Sequence, residues 1–338
     1  MFKKIVCAQI ILAFAVAAQA PPQKGKYGYG TPDSLKWVDP DHSDLGDLKF
    51  KTFHSNTIKG DVSYMIWFPP DYEQDKAARY PVIYQLPASG GTPRKEGPPI
   101  TARIDKAIRA KRIGPLIVVV VNGLAGNTMY CDTKDGQYPL ESVIIKDLIP
   151  HIDATYRTIA SREGRAVNGF SMGGFGAAHL GFNNPDVFGV DSIMAPPLLE
   201  PGLKGLPANA WSRLFPAAMD SDMEYWKLNN PFELVVKNAD KLRDRTYIRI
   251  VTHDENEHWN WPQCEKLHKI LVEHMIQHEF CFFTNVKSHS PVGCMDSLGD
   301  AAFSFFSSSG MHATVPKPAG GKGAGKAKRP GPLPRPQQ

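Results

Sequence analysis

Residues 116–121 read Leu-Ile-Val-Val-Val-Val. Only a strand buried on both faces tolerates six consecutive aliphatic residues, so this run predicts a central strand of a parallel sheet. The segment 81–86, Pro-Val-Ile-Tyr-Gln-Leu, has the same character, and residues 189–194, 247–251 and 278–284 supply further strands. Two earlier segments, 48–58 and 61–68, alternate apolar and polar side chains as an antiparallel hairpin does. Between strands the spacing changes to threes and fours. Leu140, Val143, Ile144, Leu148, Ile152 and Tyr156 share one face of a helix opened by Pro139, and residues 100–110, 262–275 and 295–306 read as helices too. Alternation of this kind over residues 48–306 predicts one α/β domain, a mostly parallel twisted sheet with helices on both faces. Residues 195–245 stand apart, with six prolines and the aromatics Trp211, Phe215, Tyr225, Trp226 and Phe232. Such an insertion is expected to cap the carboxyl ends of the strands, where these sheets bind ligands.

The two ends change the picture. Residues 1–20 carry Lys3 and Lys4, an apolar run over 5–18 and then small residues, the pattern of a secretory signal peptide. Export is therefore expected, secreted or periplasmic. Residues 21–47 read as an N-terminal extension and 48–308 as the catalytic domain. Residues 309–338 are Gly, Pro, Lys and Ala, too poor in apolar residues to fold, and predict a disordered tail. The whole chain has a net charge of +5, but without Lys3, Lys4 and the six basic residues of the tail it is −3. The basicity belongs to the ends. It suits contact of the tail with an anionic surface and gives the folded part no nucleic-acid footprint. Beyond Cys7 the cysteines are Cys131, Cys264, Cys281 and Cys294, which form two disulfides in one of three pairings or stay as buried thiols. No CxxC pair points to zinc.

The candidate chemistry centres on Gly169-Phe170-Ser171-Met172-Gly173. A G-x-S-x-G run between a strand and a helix sets a serine on a sharp, strained turn with its hydroxyl exposed. A serine hydroxyl attacks only when a histidine takes its proton and a carboxylate orients that histidine, and the partners are expected in the order serine, acid, histidine. Of the later histidines, His289 alone falls in the loop after the last strand. The loop after Val251 reads Thr252-His253-Asp254-Glu255-Asn256-Glu257-His258. Asp254 is the expected acid, with Glu255 and Glu257 as competitors; His253, His258 and a carboxylate would be the alternative of a cation site. The oxyanion needs two backbone N–H donors: Met172, and Ala88 or Ser89 in the loop after residue 86, since Pro87 has none. Trp211, Trp226, Trp259 and Trp261 are candidate stacking surfaces for a sugar or aromatic acyl group.

On Tyr80-Pro81-Val82-Ile83-Tyr84, Leu148-Ile149-Pro150-His151-Ile152-Asp153, the Ser171 motif with Phe175-Gly176, Asn230-Pro231-Phe232 and the His289 loop, the chain resembles the esterase D, feruloyl esterase and mycolyltransferase group of α/β-hydrolases. The resemblance implies the α/β-hydrolase fold and ester hydrolysis or acyl transfer through an acyl-serine, without metal or organic cofactor, on small-molecule or polysaccharide esters. An acyltransferase to a sugar or lipid alcohol, and a non-catalytic binding or cell-wall protein on the same fold, remain as alternatives. Two positions depart from the group: Pro87-Ala88-Ser89 stands where His-Gly and further glycines are usual, and Thr252-His253 where a glycine precedes a single aspartate.

Overall fold

The computed structural model describes residues 35–126, 128–198, 222–253, 260–284 and 289–314. Its strands are β1 (Lys49–Ser55), β2 (Gly60–Trp67), β3 (Val82–Leu86), β4 (Ile117–Val121), β5 (Arg165–Phe170), β6 (Val190–Met194), β7 (Tyr247–His253) and β8 (His278–Phe283). They form one sheet in the order β1-β2-β4-β3-β5-β6-β7-β8. β1 and β2 pair antiparallel, as do β2 and β4, while every pair from β4 to β8 is parallel. This is the α/β-hydrolase arrangement.

Alternate residues of each central strand feed two cores. Ile117, Val119 and Val121 of β4 face one side with Tyr84, Leu86 and Val167; Val118 and Val120 face the other with Ile83, Ala166 and Phe170. The first side is covered by α2 (Leu140–Ser142), α3 (Ile149–Thr155), α4 (Met172–Asn183), α6 (Pro231–Lys237), α7 (Ala239–Leu242) and α8 (Trp261–Glu273); α5 (Met223–Asn229) adds Trp226 to it. The second is covered by α1 (Pro93–Arg109), α9 (Pro291–Leu298) and α10 (Ala301–Ser308). Covering both faces is what lets β4 be apolar throughout. The fully buried Arg249 of β7 ties the second layer down, donating to Ser192 Oγ (2.9 Å), Ala301 O (2.7 Å) and Ala302 O (3.0 Å).

Several details differ from the sequence reading. Helix α1 begins at Pro93, not at residue 100, and contains Pro98 and Pro99. The helix after Pro139 is not continuous α: residues Val143–Leu148 widen into a π-helical turn between α2 and α3. The stretch 295–306 breaks at Gly299, whose φ of 55° ends α9. The folded part also runs past 308, because Met311 is buried and Thr314 bridges Arg79. Helices α5 and α6, from the segment read as a cap, pack along the sheet face, α6 against α4 and α8; the rest of that segment, 199–221, lies outside the described residues, as do residues 1–20 and 315–338. Cys131, Cys264, Cys281 and Cys294 are free thiols, so neither disulfide forms. Among the described residues no helix is long and apolar enough to cross a membrane.

Candidate active site

β5 ends at Phe170 and α4 starts at Met172, so Ser171 alone makes the turn, with φ 56° and ψ −122°. A side chain rarely adopts such a backbone, which stores on the order of 1–3 kcal/mol and persists only when the surroundings over-determine it. They do. The Ser171 N–H donates to Met194 O of β6 (2.9 Å), and the Phe175 N–H donates to Ser171 O (2.9 Å). The flanking glycines are required by contact. A Cβ on Gly169 would lie 2.0 Å from Gly173 O, and one on Gly173 2.0 Å from Leu86 O. Missing side chains thus let α4, β5 and the end of β3 close around the serine. The same packing sets the start of α4, where first-turn N–H groups have no helical acceptor, beside the loop that follows β3. Met172 is the first of them.

In that loop every peptide group from Pro87 to Ala88 is engaged. Pro87 O accepts from the Tyr130 hydroxyl (2.7 Å), Ala88 O accepts from the Gly91 N–H (2.8 Å) in a turn with Gly90 at φ 71°, and the Ala88 N–H donates to Glu96 Oε1 (2.9 Å). The Ala88 N–H is therefore taken by Glu96. Glu96 is half-buried in the first turn of α1; loss of solvation raises its carboxyl to about 7, against the pull of the Ala88 N–H. The sequence reading missed it. The available signal was an acidic residue five positions after the Gly90-Gly91 pair.

His289 sits at the elbow. Its ring packs on Phe170, the residue before the nucleophile, at 4.4 Å between centroids. Loss of hydration against its neighbours, then the nearby His253, hold the imidazole below its ordinary range, which keeps it a neutral base. Among the described residues no hydrogen bond joins it to the Ser171 hydroxyl. Asp254, Glu255 and Glu257 lie outside the described residues, as do His258, Trp211 and Trp259. His253, at the end of β7, is fully buried with its ring 6.5 Å from that of His289, so β7 ends beside His289. Trp226 is in the core, not on a binding surface, and Trp261 packs edge-on against Phe282.

A second polar cluster lies behind the nucleophile. Both ring nitrogens of the buried His179 face acceptors, Nε2 donating to Glu141 Oε2 (2.8 Å) and Nδ1 to Asn229 O (3.0 Å), so the ring is an imidazolium. Asn183 and Asn184 donate to the other Glu141 oxygen (2.7 and 2.8 Å). Against the cost of burial, His179 and these amides hold Glu141 down at about 2. Every member is paired within the cluster, so this is an anchor of α4.

Known proteins share this fold. A solved ferulic acid esterase superposes with a TM-score of 0.62 at 20% identity, covering 77% of this chain and 96% of its own. An S-formylglutathione hydrolase from Agrobacterium tumefaciens does so with 0.57 at 17% identity, covering 80% and 98%. Among curated sequences, an endo-1,4-beta-xylanase/feruloyl esterase of Xylanibacter ruminicola is 29% identical over 158 residues, 44% of this chain and 22% of that protein. A Mycobacterium tuberculosis esterase is 34% identical over 148 residues, 42% of this chain and 30% of that protein. The matched stretches thus span less than a third of the curated relatives' length. The family model described as "Putative esterase" matches residues 55–292, and the chain belongs to that family.

Proposed function

We propose that the protein is an exported serine carboxylic-ester hydrolase that works through an acyl-serine. Ser171 Oγ attacks the ester carbonyl carbon while His289 takes its proton, and Asp254 orients the imidazole. The Met172 and Ser89 N–H groups hold the oxyanion. Collapse expels the alcohol with the proton from His289, and water, deprotonated by His289, then releases the acid from Ser171. The observation that carries this reading is the strained Ser171 turn with the His289 ring packed at a tilt against the adjoining Phe170. Acyl or feruloyl esters of polysaccharides are the substrate class suggested by the feruloyl esterases among the relatives and fold neighbours. Export rests on Lys3, Lys4 and the apolar run behind them.

The purified protein should hydrolyse a short-chain aryl ester and be labelled by a fluorophosphonate, with both lost in Ser171→Ala. Activity surviving that change removes the assignment. Single replacements of Asp254, Glu255 and Glu257 identify the acid by the largest loss. Acetyl, feruloyl and longer acyl esters, each with and without an alcohol acceptor, separate substrate class and hydrolysis from transfer.

A further inference from the structure

We propose that Glu96 is the positioning residue of the oxyanion loop: its carboxyl oxygen, packed beneath the Ala88–Gly91 turn, captures the Ala88 amide and thereby presents Ser89 as the second donor. The inference rests on the Ser171 reading above and deepens it.

Three observations converge on this carboxyl. Its Oε1 accepts from the Ala88 N–H at 2.9 Å, across eight residues of chain. Gly91 is required beside it, since a Cβ there would lie 2.0 Å from the same Oε1 and 2.9 Å from Ala88 O. Its Oε2 is buried with no hydrogen-bond partner among the described residues. A carboxyl buried for one backbone bond forgoes solvation that an exposed glutamate would keep, a cost which that bond offsets only in part. The Tyr130 hydroxyl holds Pro87 O from the neighbouring position, and Tyr130 is itself fixed against Gly176 of α4. The loop is therefore clamped on both sides of the Pro87–Ala88 peptide. Relatives in the resembled group have a run of glycines here, whose backbone adopts a donor geometry with less steric hindrance. This chain has Pro-Ala-Ser instead, and Glu96 supplies by hydrogen bonding what the glycines supply by freedom.

Catalytic constants on an aryl ester, fluorophosphonate labelling rates and melting temperatures of wild type, Glu96→Ala, Glu96→Gln and Gly91→Ala test this. Glu96→Ala should lower kcat about 10- to 100-fold, less than outright loss of a donor, with KM within about twofold. Glu96→Gln, which keeps an acceptor oxygen in place, should stay within about threefold of wild type. Gly91→Ala, which displaces the intact Glu96, should reproduce the Glu96→Ala loss. Wild-type kcat in Glu96→Ala or Gly91→Ala overturns the proposal, as does a folded Glu96→Gln as impaired as the alanine variant. Should Glu96→Ala not fold, the Gln and Gly91 variants decide alone. The wild-type arm keeps the two readings apart: an unlabelled wild type removes the Ser171 assignment, whereas a labelled wild type with equally labelled variants removes only Glu96.

Discussion

Helix α4 is held at its two ends by opposite means. At the nucleophile end the restraint is shape: Gly169, Gly173 and Gly174 leave room for backbone carbonyls of neighbouring elements within 2.0–2.3 Å of where a Cβ would stand. At the far end the restraint is charge, with His179, Asn183 and Asn184 gathered on Glu141. Close backbone contact does not titrate, so the serine's geometry is indifferent to pH. The anchor two to three turns away is not. Separating the two lets the catalytic turn stay fixed while the ionic grip on the helix varies.

Gly173→Ala should break the shape end and give the largest effect, because it removes activity as well as stability. The added methyl meets Leu86 O at 2.0 Å and Pro87 O at 3.0 Å, both backbone, so α4 must move away from the oxyanion loop. A loss of about 3 kcal/mol in stability and of all fluorophosphonate labelling is expected, read by denaturant titration and by labelling of the folded fraction.

Glu141→Gln breaks the charge end and leaves the turn alone. Removing one partner of a buried pair costs about 3–5 kcal/mol, while kcat per folded molecule should hold. The sign with pH follows from the lowered carboxyl: its stabilisation is full above the ordinary carboxylate value of 4.5 and is lost as pH falls toward about 2. The difference between wild type and variant should therefore shrink steadily as denaturant midpoints are measured below pH 4.5.

Asp191 sharpens the contrast because it touches the same helix without an ionic partner. It is fully buried on β6 against Gly181, where a Cβ would lie 2.1 Å from its Oδ2, and burial raises its carboxyl well above 3.8. A raised carboxyl favours the fold only while the unfolded chain is also protonated, so its contribution is full below pH 3.8 and is lost as pH rises. Asp191→Asn, of the same shape, should melt a few degrees higher than wild type near neutrality and show no advantage near pH 3.5. Thermal melts at the two pH values check both halves.

What the sequence disclosed follows the same division. Central strands were readable because burial on both faces leaves an unbroken aliphatic run, as in β4, and Ser171 because glycine spacing records steric demands directly. The first turns of α1 were not, since Gly97, Pro98 and Pro99 read as loop; in the fold Pro93 follows the Thr92 cap and the Thr101 hydroxyl bonds Gly97 O. Glu96 was hidden with them. The break at Gly299 was masked by apolar residues on both sides, and Trp226 looked like a binding surface because periodicity in a Pro-rich stretch does not tell core from exterior. Pairwise partners such as Glu141 with His179, 38 residues apart, leave no local signature at all.

The smallest effect concerns the base. Phe170 belongs to the second core and presents its ring to His289 at 4.4 Å, so it links the backbone-locked Ser171 turn to the imidazole. Dehydration by such neighbours, together with His253, lowers His289, and a lowered imidazole remains a base further into acid. The acid limb of kcat/KM for wild type should then have its midpoint below the ordinary histidine value of about 6.5. Phe170→Leu keeps the core filled but removes the flat face, which admits water to the imidazole and moves that midpoint up toward 6.5, with a loss in kcat of only a few-fold because the Ser171 turn is fixed by other contacts. A pH–rate profile of the two proteins decides it: coincident acid limbs would mean that His289 is not tuned by Phe170 and that the base, like the nucleophile, is set by the backbone.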